Sequence, residues 1–151
     1  MKRILIAVDG SDGSGVAVRE GLKLADAFQA SVTFVSVTKA PLPVLGDPYY
    51  QRAISEGTHR AQAALTEAMS VAEKTGVVAD YELLEGDAAE QIVELGRRRG
   101  VDLIVAGSRG LGSIKGALLG SVSSAIVRDA DCPVLRCPRS RADPLLLRGH
   151  V

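Results

Sequence analysis

The chain has 151 residues, 46% of them apolar, and 18 basic residues balance 18 acidic ones. That length suits one domain with a sizeable core. Zero net charge gives no basic surface for nucleic acid or an anionic membrane, no apolar run approaches the roughly 18 residues of a transmembrane helix, and two phenylalanines, three tyrosines and no tryptophan leave no stacking platform for single strands.

Arg3 to Val8 is a near-continuous apolar run ending at Asp9, which reads as a strand buried on both faces. The few apolar residues between Met1 and Asp9 are too short for a signal-peptide core, so a cytoplasmic location is expected. Asp9-Gly10-Ser11-Asp12-Gly13-Ser14-Gly15 is a turn with candidate N-caps. Val16, Leu22, Leu24-Ala25 and Phe28 then recur at helical spacing to about Ala30. Val32 to Thr38 is a second strand. Lys39 to Tyr50, with Pro41, Pro43, Gly46 and Pro48, is a long irregular connection.

From about Gln51 to Lys74 the sequence is rich in alanine and glutamate, with Ile54, Ala61, Ala64-Leu65, Met69 and Val71-Ala72 on one helical face and Gly76 ending it. Val77 to Leu84 is a third strand. Asp87 and Glu90 form a capping box before a short helix that closes with Arg97, Arg98, Arg99 and Gly100. The arginine triplet fits a helix C-terminus better than a phosphate patch. Val101 to Ala106 is a fourth strand. Cys132 to Pro138 is a fifth, and 139–151 is a tail that is disordered or docks elsewhere. Cys132 and Cys137 are an odd number of residues apart on a strand and so face opposite sides, which makes them structural thiols without a local disulfide. His59 and His150 complete no zinc spacing.

Between the fourth and fifth strands lies Val105-Ala-Gly-Ser-Arg-Gly-Leu-Gly-Ser-Ile-Lys-Gly-Ala-Leu-Leu-Gly-Ser-Val-Ser-Ser124. Glycines follow a strand and precede a helix whose Val122, Ala125 and Ile126 share a face. Glycine lets the backbone approach a ligand, and the helix N-terminus favours an anion. The order of glycines satisfies neither the dinucleotide fingerprint nor the Walker A loop. The spacing is instead Gly107-x-x-Gly110, nine residues, then Gly120-Ser121.

That spacing, with the strand openings before it, resembles the nucleotide-binding signature of the ATP-binding universal stress proteins, and the likeness extends to about Pro138. Five strands alternating with four helices already argue for a mostly parallel α/β sheet with right-handed crossovers. The resemblance implies a single-domain, doubly wound, Rossmann-like arrangement of order 3-2-1-4-5 over residues 1–138. The switch point between strands one and four would then bring Asp9 and Gly107 into one crevice.

The resemblance further implies ATP as the ligand, and a Mg²⁺ ion bound with it could be held by phosphate oxygens and water. Asp9, preceded by Ala7 and Val8, would meet the nucleoside end, and the Val37 backbone would recognise adenine. Ala106, Gly107 and Gly110 would admit the phosphates, and the N–H groups of Gly120, Ser121 and Val122 would hold them. Ser121 and Ser123 would add hydroxyls. Arg109 and Lys115 either neutralise phosphate or are solvated loop residues. With no Walker B carboxylate and no base near the loop, slow hydrolysis or none is expected, in a nucleotide-dependent stress-adaptation module.

Two other classes stay open. One is an adenine-nucleotide α-hydrolase-type enzyme, although Asp9 to Ser14 has the wrong order for its pyrophosphate loop. The other is an electron-transfer subunit binding flavin or AMP. A last strand at the sheet edge invites pairing with its own copy, and the resemblance implies a homodimer through Val134 to Cys137.

Overall fold

The computed structural model describes residues 1–108 and 120–139. In chain order they form β1 (Arg3–Ala7), α1 (Asp12–Phe28), β2 (Ser31–Thr38), a 3₁₀ turn (Pro43–Leu45), α2 (Tyr49–Thr75), β3 (Ala79–Glu85), α3 (Ala88–Arg99), β4 (Leu103–Gly107), α4 (Ser121–Asp129) and β5 (Val134–Cys137). The strands make one parallel sheet of order β3-β2-β1-β4-β5. Arg109, Gly110, Lys115, His150 and the tail beyond Arg139 lie outside the described residues.

Helices cover both faces, which suits the unbroken apolar runs Ile4–Ala7 of β1 and Leu103–Ala106 of β4. Ile4 and Ile6 of β1 pack with Val32, Phe34, Leu103 and Val105 beneath α1 and α2. Leu5 alternates to the other side, with Val35 and Ile104 beneath α3 and α4. Cys137 belongs to the first cluster and Cys132 packs against the second, so the two thiols do face opposite sides.

Several boundaries differ from the sequence reading. α1 stops at Phe28 because Gln29 takes the left-handed conformation, φ 53°, and its N–H closes back on Ala25 and Asp26. Phe28 itself is exposed, as is Ile54 on α2, so neither belongs to the apolar face assigned to it. α2 begins two residues early, at Tyr49. β3 begins at Ala79 because Gly76, φ 74°, ends α2 and Val77-Val78 complete the turn. In α4 the buried residues are Ser123 and Ile126, and Val122 is exposed. β5 shrinks to Val134–Cys137 between two prolines.

Asp87 caps α3 by accepting the Glu90 N–H at 3.0 Å. The arginines at the far end of α3 sit where the helix dipole favours them and also make ion pairs. Arg97 bonds Asp131 and Glu94. Arg99 reaches across the sheet to Asp80, Glu82 and the Thr33 hydroxyl. Burial alone would raise the Asp80 carboxyl, but the Thr33 and Arg99 hydrogen bonds outweigh it and hold the group below the usual carboxylate range. Asp102, accepting the N–H groups of Lys2 and Arg3, and Asp131, beside Arg97, are lowered too.

A carboxyl whose pKa is lower in the folded chain favours folding above its unfolded value, near pH 4. That contribution is lost as pH falls through the folded value. Arg99→Met should therefore lower the urea midpoint at pH 7 by the equivalent of about 0.5–1 kcal/mol, the scale of half-exposed pairs. The deficit should shrink at about pH 2.5. An equal deficit at both pH values would assign Arg99 to packing alone.

Candidate functional site

The crevice arises from where strand pairing stops. β1 and β4 are in register from Ile4↔Leu103 to Ile6↔Val105. Beyond that point each strand follows its outer neighbour. Ala7 stays opposite Val35, and the Val8 N–H donates to the Val35 carbonyl at 2.9 Å. On the other side Ala106 and Gly107 stay opposite Arg136 and Cys137, and the Ser108 N–H donates to the Cys137 carbonyl at 2.8 Å. The two central chains part at their carboxyl ends, the place where open α/β sheets receive ligands.

One wall is built from the β1–α1 turn. Asp9 is half-buried, and its carboxylate accepts the Ser11 N–H at 2.9 Å. Ser11 is the N-cap of α1, its hydroxyl oxygen accepting the Ser14 N–H at 3.2 Å. Capping and turn-holding are thus divided between two residues. Asp9 shapes the turn but is not itself the cap. Gly10 at φ 83° makes the corner, a conformation that glycine adopts without cost.

The other wall is the end of β4 and the start of α4. The Gly120 N–H donates to the Ser108 carbonyl at 2.7 Å. The Ser123 hydroxyl, on a residue 2% exposed, lies 3.1 Å from the Gly120 carbonyl and 3.3 Å from that of Ser108. Strand end and helix start are therefore stapled together across 109–119. The first bond of α4 runs from the Ser124 N–H to the Gly120 carbonyl. Gly120 offers no side-chain cap, so the N–H groups of Ser121, Val122 and Ser123 project from the helix end without an intrahelical acceptor. Their partial positive charge suits an anion.

Gly107 has a role the spacing alone does not explain. A Cβ there would lie 2.7 Å from the Gly13 backbone carbon and 3.0 Å from the Ser14 nitrogen. Its bare backbone lets β4 end flush against the first turn of α1.

The structure thus gathers Ala7, Val8 and Asp9 on one side and Ala106, Gly107, Gly120, Ser121, Val122 and Ser123 on the other. Val37 sits one strand away, half-buried, with Ala7, Leu84 and Ala125 against the α3–α4 side of the core. Ser121 is exposed, whereas the Ser123 O–H is directed at backbone carbonyls and braces the helix start. Arg109 and Gly110 are outside the described residues. Ser108 and Gly13 escaped the sequence reading. Ser108 sits between the paired glycines, and Gly13 is the middle glycine of the Asp9–Gly15 turn, so small residues in both places were the available signal.

Burial pushes the Cys132 and Cys137 thiols up, Asp131 adding to the effect at Cys132. Both are protonated near neutral pH, which suits packing rather than redox or metal chemistry. Among the described residues no three His, Cys, Asp or Glu side chains cluster as a metal site, and no helix is long and apolar enough to cross a membrane.

The family model described as the universal stress protein family matches residues 1–138. A universal stress protein of Thermus aquaticus is 38% identical over 135 residues, covering 89% of this chain and 96% of that one. Among solved structures, UspA from Lactobacillus plantarum superposes with a TM-score of 0.81 at 26% identity, covering 90% of this chain and 97% of that chain. A universal stress protein in complex with cAMP superposes with a TM-score of 0.71 at 28% identity, covering 92% and 98%.

Proposed function

The chain belongs to the universal stress protein family, and from that premise we propose that it binds an adenine nucleotide, ATP with Mg²⁺, at the crevice between β1 and β4. It would act as a nucleotide-dependent regulator in stress adaptation. The observation that carries this reading is the N-terminus of α4, which has no side-chain cap among the described residues and is bonded to the carboxyl end of β4 where β1 and β4 have separated. The cAMP complex of a relative supports an adenine nucleotide as the ligand class.

The base and ribose would lie toward Asp9 and Val37, where a carboxylate accepts hydroxyl or amino protons. The phosphates would lie toward Ser121 and Val122, away from that carboxylate. Gly110 of the sequence signature would admit them, and Arg109 would contribute charge. Mg²⁺ would be held mainly by phosphate oxygens and water. Asp9 is engaged by the Ser11 N–H and in this reading would face the nucleoside end, where it would be badly placed to activate water at the γ-phosphate. Turnover should be slow or absent. β5 is the last strand of the sheet, and its open edge would pair with a second copy of the chain.

Calorimetric titration with ATP and Mg²⁺, beside Gly110→Val, tests the site. Wild type should bind, and the variant should lose at least tenfold in affinity, about 1.4 kcal/mol. Titrations with AMP and cAMP rank the phosphates' contribution. A wild-type protein that releases no nucleotide on denaturation and gives no heat with any of the three would end this reading.

A further inference from the structure

We propose that the free edge of β3 docks an extended segment of another protein, added antiparallel as a sixth strand. That segment carries apolar residues at alternate positions and lysine or arginine between them. β3 ends the sheet on the side away from β5, and β2 separates it from β1, so this surface is distinct from the crevice between β1 and β4.

The backbone decides which groups are on offer. The Val32 N–H donates to the Val78 carbonyl and the Gly86 N–H to the Thr38 carbonyl, both at 2.9 Å. Even-numbered residues therefore turn their backbone groups toward β2. By the alternation of a strand, Ala79, Tyr81, Leu83 and Glu85 turn theirs toward the open edge. Pairing with β2 runs without a bulge from Val32↔Ala79 to Thr38↔Glu85. The strand also holds no proline and no lysine, so the usual devices that blunt an edge are missing from it.

The side chains add a groove. Tyr81 and Leu83 lie on the α2 side of the sheet, where they, Leu65, Met69, Ala72 and Val77 line an open groove of about 740 Å³. Tyr81 is 57% exposed, and Met69, Val77 and Leu83 are only half-buried. In antiparallel pairing, the more stable kind, residues that exchange bonds with Tyr81 and Leu83 share their face. Every second side chain of the incoming strand would therefore enter this groove and cover its apolar wall.

Charge selects the residues between. On the other face Asp80 and Glu82 share the single guanidinium of Arg99. Glu85 is exposed at the end of the strand, and Glu73 lines the groove. Among the described residues neither of these two forms an ion pair, and no lysine or arginine lines the groove. The edge is thus net negative, and opposite charges across neighbouring strands stabilise the pairing. A second copy of β3 would bring the same acids, which disfavours self-pairing here. The occupant is basic.

The test titrates the full isotope-labelled chain with a capped heptapeptide of lysine at odd positions and leucine, valine and leucine at even ones. Amide signals of Ala79 to Glu85 should move. Exchange of the Tyr81 and Leu83 N–H groups with solvent should slow about tenfold or more, because binding closes them into a ladder. Two control peptides separate the causes. Replacing lysine by glutamate keeps the apolar face and should weaken binding about tenfold or more through like-charge repulsion. Methylating the backbone nitrogens of the leucines and valine keeps charge and side chains but removes the ladder, and should weaken it similarly. Tyr81→Lys, at an exposed position, should also lose the lysine peptide while the variant's amide spectrum stays folded. Equal affinity for the glutamate peptide would overturn the charge argument, and equal affinity for the methylated one would overturn strand addition. Signals moving elsewhere, with Ala79 to Glu85 still, would overturn the site. A synthetic peptide of residues 140–151, which also carries leucine and arginine, completes the set. Tighter binding of that peptide at this edge would assign the groove to the chain itself and overturn the outside partner.

Discussion

Gly107→Val is expected to damage stability and ligand binding together. The added Cβ would lie 2.7 Å from the Gly13 carbon and 2.9 Å from its oxygen, and neither is the movable end of a side chain. The backbone of α1 must shift, or β4 must. Overpacking of this kind costs roughly 1–3 kcal/mol, and collision with main chain places it at the upper end. The same shift moves the Asp9–Ser11 turn away from α4 and alters the width of the crevice. Nucleotide affinity in the folded fraction should fall about tenfold, or 1.4 kcal/mol. Urea unfolding and calorimetry on one preparation read both effects. Wild-type stability with lost binding would mean that Gly107 serves the ligand and not the α1 contact.

Phe34→Ala is expected to be the most destabilising single truncation. Phe34 is fully buried in the middle of β2, with Ile6 on one neighbouring strand and Tyr81 on the other, beneath α2. Removing a buried phenylalanine costs about 3–5 kcal/mol through lost transfer energy and an unfilled cavity, a large fraction of a small domain's net stability. Thermal unfolding should show a drop of roughly 6–20 °C, at about 2–4 °C per kcal/mol for a chain of this size. A drop of only a few degrees would mean that α2 settles into the vacated space.

The two variants separate what the sequence could convey from what it could not. The alternation of strands and helices was legible because a buried parallel strand and a covering helix leave different periodicities, whereas the order of the strands came only from the family likeness. Ends were harder. Val77 and Val78 have strand-like side chains, yet Gly76 and the α2 cap use that stretch as a turn. Faces failed where a helix terminus reaches past the sheet, as with Phe28 and Val122. In the candidate site the glycine spacing was visible. The reason for Gly107 was not, because it depends on Gly13, which only the fold brings near.

The bonds that hold Ser108 to Gly120 and Ser123 have a consequence for how the segment between them can change. These bonds join Ser108 directly to Gly120 and Ser123, so the start of α4 is held to the end of β4 by the two flanks themselves. A substitution confined to 109–119 would change ligand contacts while leaving that joint in place.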